Sequence, residues 1–476
     1  MTDSPATGSS RIDRTAGDTY MYARPCSVLE ILSVVPSNSC RPEVTGSSMT
    51  DEGVSTGRRE YLRGAALAAV AGLAGCTDIE GGDGGDGPTA TLADLDRTDE
   101  PTATPTATPS PTASPTPEVL ATVSGTYRSY RFDAGRRAFA PAATGPRQTP
   151  SVAYALDLPG PVYQPVLDGR RLYLAWRRSG PDTPTLAAYD LQWGTRQWTV
   201  DLGGRAGGAP TVVGDRIVVQ AADGTYGLAP DGTVAWSSGT GAALGFAPPA
   251  VGERVYALGD RGVAALDTAG NDVWSVPLTA RPIASAAADE SAVYLPVPRD
   301  LETTDLLALS AEDGSSRWRA PVRAEEGFPP VRTGDAVYVT SHRSRGGITA
   351  VDAADGQRRW KADVDVDRTP AVTGDRVVAA GGSTVFARSR ADGSADWSTD
   401  LAEPVVAGPV ADRSSAYVGV ETDDGGTLHA LALDGGTVRW TLTFDRPPGT
   451  PTVVDDALLV PVRGDDGERL VVLTGP

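Results

Sequence analysis

The chain has 476 residues, with 61 acidic side chains against 42 basic ones and a formal charge of −19. So acidic a chain argues against nucleic acid as a partner, because phosphate binding needs clustered Lys and Arg. Its 55 glycines and 38 prolines beside 40% apolar residues point to many short strands joined by turns, not to long helices. The three cysteines, Cys26, Cys40 and Cys76, all precede residue 77. No disulfide, iron–sulfur cluster or zinc–thiolate site can therefore form in the bulk of the protein.

In chain order, the first pattern is at 57–76, GRREYLRGAALAAVAGLAGC. Its apolar stretch is too short for the ~20 residues of a spanning helix, and it ends in small residues before a cysteine. Arg58 and Arg59, followed by Tyr61 and Leu62, resemble a twin-arginine export signal. Leu73, Ala74, Gly75 and Cys76 resemble a lipobox, whose cysteine takes lipid and becomes the first residue of the mature chain. The expectation is twin-arginine export and a lipid anchor on Cys76 at the outer face of the cell membrane. Met49 opens an ordinary signal sequence, so 1–48 reads as an over-extended start or disordered extension and 49–75 as the signal peptide. Residues 76–121 are rich in Gly, Asp, Thr and Pro and cannot form a core. They read as a disordered stalk and a candidate for O-glycosylation. Residues 122–150 read as a lead-in to the globular part.

From about residue 151 the sequence is periodic. Trp198, Trp236, Trp274, Trp318, Trp360, Trp397 and Trp440 recur at spacings of 38, 38, 44, 42, 37 and 43. A period near 40 with four short strands per unit is that of a propeller blade. Four residues before each tryptophan stands a glycine, from Gly194 to Gly436, as a turn residue. Ten before stands alanine (Ala188, Ala264, Ala308, Ala350, Ala387, Ala430), with Tyr226 the one exception. An upstream turn and apolar strand, such as GDAVYV at 334–339, occurs eight times. Eight such strands with seven tryptophan strands leave one outer strand missing, and SVAYALDL at 151–158 supplies it. The expected fold is all-β, an eight-bladed propeller over 151–476 whose first strand completes its last blade and leaves no open edge.

Ala350, Asp352, Gly356 and Trp360, and likewise Ala188, Asp190, Gly194 and Trp198, resemble the AxDxxTGxxxW tryptophan-docking motif. That motif marks the pyrroloquinoline quinone (PQQ) repeat superfamily; its Thr is replaced here by Asp355 and Trp193. The resemblance implies that the seven tryptophans dock neighbouring blades. Some members are quinoprotein dehydrogenases, which hold PQQ and calcium in the central funnel and use an aspartate base. Others resemble outer-membrane-protein assembly factor B (BamB-like): lipid-anchored, eight-bladed and cofactor-free, presenting blade-connecting loops to partners. A thiol-free propeller without a haem-attachment motif, behind a lipobox, is closer to the second type. The expectation is a monomeric, non-enzymatic scaffold without cofactor that binds protein or glycan through its loops. A PQQ-dependent dehydrogenase-like enzyme and a ligand-sensing module are the alternatives.

The surface carboxylates have a solvent explanation. Lys361 is the single lysine, and an Asp- and Arg-rich surface resembles that of proteins from extreme halophiles, where salt screens self-repulsion. Asp363, Asp365 and Asp367 read as three carboxylates on one face of a strand, and Asp423–Asp424 and Asp465–Asp466–Glu468 as acidic loops. Arg368 stands where a calcium loop of the EF-hand type needs glycine, so all three groups read as solvated and not as a calcium site. His342 and His429 read as ordinary surface or strand histidines, and Trp176 and Trp193 as packing residues.

Overall fold

The computed structural model describes residues 123–475, apart from 178–183, 203–204, 240–245, 301–302, 325, 343–345 and 465–466. Arg58, Arg59, Cys76, the segments 1–48, 49–75 and 76–121, and Asp465 and Asp466 lie outside the described residues. No helix occurs among the described residues; every element is a strand.

Eight antiparallel sheets follow one another around an axis, forming an eight-bladed propeller. Blade 5 is representative: Val331–Thr333 lies inside, then Ala336–Ser341, Gly347–Asp352 and the outer Arg358–Ala362. Ala336–Ser341 is buried along its whole length because neighbouring blades cover both of its faces, hence its unbroken run of non-charged residues. An outer strand such as Ser316–Val322 alternates instead, with Trp318, Ala320 and Val322 turned inward. Blade 8 takes Thr452–Val454, Ala457–Arg463 and Glu468–Thr474 from the C-terminus and its outer strand, Ser151–Leu158, from the N-terminus. Ser151 pairs with Thr474 and Leu158 with Glu468, so the ring closes by a ladder between the two ends of the domain.

Each tryptophan on an outer strand leans on the next blade. The indole N–H of Trp318 donates to the Ala353 carbonyl at 3.0 Å, and that of Trp360 to the Arg390 carbonyl at 3.0 Å. Trp198, Trp236, Trp274 and Trp397 donate in the same way to Pro230, Thr268, Ala311 and Leu433. Trp440 has no such turn ahead of it, because blade 8 borrows its outer strand, and it donates to the Pro146 carbonyl at 2.8 Å. The turn glycines must be glycine for two reasons. Gly356 has φ +75°, and a Cβ there would meet the Trp318 ring at 2.7 Å.

The structure refines the ten-residue spacing in two blades and corrects the packing role expected of Trp193. In blades 2 and 3 the residue facing the tryptophan is Gly227 or Ala265, nine back, not Tyr226 or Ala264. The cause is a tighter turn: Gly232 and Gly270 donate to the carbonyl three residues earlier, whereas Gly314 and Gly356 donate four earlier. A small residue therefore faces the ring in blade 2 as well. Trp193 does not pack, since it is 49% exposed on a turn, whereas Trp176 is buried.

The lead-in joins the propeller from within. Gly125–Tyr127 pairs with the inner strand Val166–Gly169 as a fifth strand of blade 1. The chain then circles the axis in blade order. Arg128 accepts from Val212 N of blade 2, Ala134 from Ala288 N of blade 4, Gly135 from Arg332 N of blade 5, and Arg137 from Val372 N of blade 6. Ala138 accepts from Ala411 N of blade 7, whose carbonyl accepts from Ala140 N, and Thr144 accepts from Asp456 N of blade 8. All these partners lie near the hairpins that join each first strand to its second, so this strap closes that end of the channel.

Candidate functional site

Two guanidinium groups anchor the strap at the axis. Arg136 has no exposed surface; its Nε donates to Ala286 O, its Nη1 to Ser129 Oγ and Tyr130 O, and its Nη2 to Ala247 O. Arg131 sends Nη2 to Thr369 O and Pro370 O. Burial lowers both from the usual arginine value, Arg136 to about 10, so it stays charged at neutral pH, held by carbonyl dipoles in place of a carboxylate. Arg131, Phe132, Arg136 and Ala138 all have φ between +50° and +83°, a strained backbone that only the surrounding blades can hold.

The opposite end of the channel opens into a cavity of about 260 Å³. The loops entering blades 1, 2, 3, 4 and 8 and the start of the first strand of blade 7 line it, with Tyr130 of the strap reaching it from the axis. Its charged groups are Arg177, Arg463 and Glu468. Arg177 lies over the Tyr163 ring at 5.2 Å, and Glu468 Oε2 accepts the Val162 N–H at 3.2 Å. Burial pushes Glu468 up to about 7; Arg177, the Val162 N–H and Arg463 hold it from rising further. Glu468 is thus not a solvated loop carboxylate as its sequence context suggested. It opens the strand Glu468–Thr474 and is 7% exposed.

The aspartate run also departs from expectation. The outer strand of blade 5 ends at Ala362, so Asp363, Asp365 and Asp367 lie on a loop, and Asp363 pairs with Lys361 at 2.7 Å. Asp365 and Asp367 instead approach His342, with its Nδ1 3.3 Å from Asp367. Asp367 already accepts the Gly382 N–H at 2.6 Å, and an imidazole is not the oxygen donor that calcium prefers. His429 is an interior strand residue whose ring nitrogens meet Thr427 and Thr441.

Arg177, Arg463 and the strap carry no motif that sequence reading could single out. The signal present was indirect: arginines and aromatics crowded into 127–137 within an otherwise dilute lead-in.

Solved structures share the fold. BamB from Moraxella catarrhalis is 16% identical, with a TM-score of 0.51 over 68% of this chain and 100% of its own. A quinohemoprotein alcohol dehydrogenase from Pseudomonas putida HK5 is 13% identical, with a TM-score of 0.57 over 74% of this chain and 80% of its own. That from Comamonas testosteroni is 12% identical, with a TM-score of 0.56 over 75% and 82%. At these identities the likeness is one of fold. No curated protein matches the chain in sequence. The family model described as outer membrane protein assembly factor BamB matches residues 137–297, 259–405 and 383–475. With the repeated blades, the docked tryptophans and that match across the propeller, the chain belongs to the BamB family of PQQ-like β-propellers.

Proposed function

We propose that this protein is a lipid-anchored, non-enzymatic propeller on the outer face of the cell membrane, a monomer that binds a protein or glycan through its blade-connecting loops. Arg58 and Arg59 direct its export and Cys76 carries its lipid. The observation that supports the reading is the strap. In the dehydrogenases of the superfamily the funnel holds PQQ and calcium, whereas residues 125–144 of this chain close one end of the channel. The residues at the axis do not fit that pair. The donors of Arg131 and Arg136 are spent on the chain itself, and a calcium ion would meet at the mouth one described carboxylate, engaged with Val162 N and flanked by the cations Arg177 and Arg463.

From the BamB-like resemblance the proposal takes the physical type, a rigid disc presenting loops, and not a particular assembly task. Reconstitution with PQQ and calcium, followed by dye-linked oxidation of alcohols and sugars, is expected to give no turnover. Clear turnover or a bound quinone spectrum would establish the dehydrogenase reading instead. Cys76→Ser is expected to release the protein from membranes, and a pull-down with the anchored protein is expected to retain a surface protein or glycan.

A further inference from the structure

We propose that the channel mouth is a binding site for a small sugar acid, a monosaccharide-sized ring bearing one carboxylate. This specifies the binding reading above by naming a ligand class for one site. The cavity of about 260 Å³ is smaller than the ~300–1,000 Å³ of pockets for drug-sized molecules, and the strap closes the channel behind it.

Charge selects the ligand's sign. In a chain of −19, the mouth gathers two guanidinium groups around a single carboxylate. Neither Arg177 nor Arg463 has a carboxylate partner within ion-pair distance among the described residues. Arg177 instead stacks on Tyr163, and Arg463 meets Glu468 through space. A guanidinium fork facing a cavity matches a planar carboxylate, with which it makes paired, charge-assisted hydrogen bonds.

The remaining lining selects the rest of the molecule. The wall is apolar at half-buried Val406 and at the buried Val162, Ala209 and Pro461, and Tyr130 and Tyr163 add aromatic surface. A compact carbon ring fills that space; its hydroxyls can meet the polar edge. The Tyr163 hydroxyl is fixed by donation to Ala206 O at 3.3 Å, so the aromatic wall is pre-positioned.

Glu468 gives the site a pH response. The groups that face it are Arg177 from the loop after the second strand of blade 1, Arg463 at the end of the second strand of blade 8, and the Val162 N–H. Below about pH 7 Glu468 is neutral and the mouth carries two net positive charges; above it the carboxylate cancels one. An anion therefore binds more weakly as pH rises through 7.

The test is calorimetric titration of the full-length protein in detergent with D-glucuronate, D-glucose and inorganic phosphate at pH 6 and pH 8. Glucuronate is expected to bind saturably at one site and more tightly at pH 6, with glucose and phosphate failing to saturate. R177Q and R463Q are each expected to weaken glucuronate by about tenfold, the scale of one charge-assisted hydrogen bond, and E468Q to remove the pH difference. Both arginines are exposed, so an unchanged unfolding midpoint verifies the variants; Arg177→Lys, which keeps the charge but loses the fork, is a second, milder variant. Absence of glucuronate binding, equal binding of glucose or phosphate, or indifference to both arginine substitutions would overturn the proposal. Those results leave a loop-bound partner untouched, whereas dye-linked turnover would sink the non-enzymatic reading and leave glucuronate binding standing.

Discussion

Glu468 shows how one burial changes a residue's energetics. Its unfolded value is that of an ordinary glutamate, 4.5, and in the fold it rises to about 7. Between those values the native state holds a proton that the unfolded chain has released, so stability falls as pH rises through that window. The full penalty is present above pH 7 and amounts to about 3 kcal/mol at most, since each unit is worth ~1.4 kcal/mol. Glu468→Gln keeps an acceptor for the Val162 N–H without the charge. Urea unfolding is expected to show the variant equal to wild type at pH 4, more stable by ~1–3 kcal/mol at pH 8, and with a flatter profile between. An identical pH slope in both proteins would refute this account of the site.

At the scale of elements, the outer strands carry the blade-to-blade contacts. In blades 1 and 3–7 a register shift precedes the tryptophan and turns its ring onto the next blade, with alanine opposite. Blade 8 repeats the shift between Val152 and Tyr154, so Tyr154, opposite Val472, stands where the other blades carry tryptophan. The closing seam thus depends on the strand pairing of Ser151–Leu158 more than on docking. Deleting 151–158 strips blade 8 of its outer strand and exposes the edge of Glu468–Thr474. Losing buried Tyr154 and Leu158 alone removes about 1.5–3 kcal/mol each, a large part of a typical stability of ~5–15 kcal/mol. Deleting 77–118, read from its composition as a coreless stalk, is expected to leave the melting temperature unchanged. Equal effects of the two deletions would contradict closure by this strand.

For the molecule as a whole, the strap makes the ring more than a chain of neighbours. Blades bury their faces against adjacent blades, but residues 125–144 bond in turn to the inner rim around the axis. Arg136 sits at the centre of that device, tying Ala247 ahead of blade 3 to Ala286 ahead of blade 4. Arg136→Met fills similar volume but leaves buried carbonyls without donors, at about 1–3 kcal/mol for each group. A loss of at least ~3 kcal/mol in urea unfolding is expected, shared by the entire domain in a single transition. An unchanged midpoint would mean that the strap lies in the channel without stabilising it.

The blades, their number and their closure were legible in the sequence because each is a local matter. Turn glycine, apolar strand and tryptophan recur within one unit, and counting units exposes the missing strand that 151–158 provides. Blades 2 and 3 show the limit even there, since one residue fewer in a turn shifts which small side chain faces the ring. What lies across the axis has no local signature. That Arg131 and Arg136 find carbonyls rather than solvent, that Glu468 is enclosed while Asp365 is not, and that Arg177 and Arg463 meet at one mouth follow from bringing residues some 300 positions apart onto a common rim. Burial and charge pairing there are set by residues distant in sequence, and only the closed ring determines them.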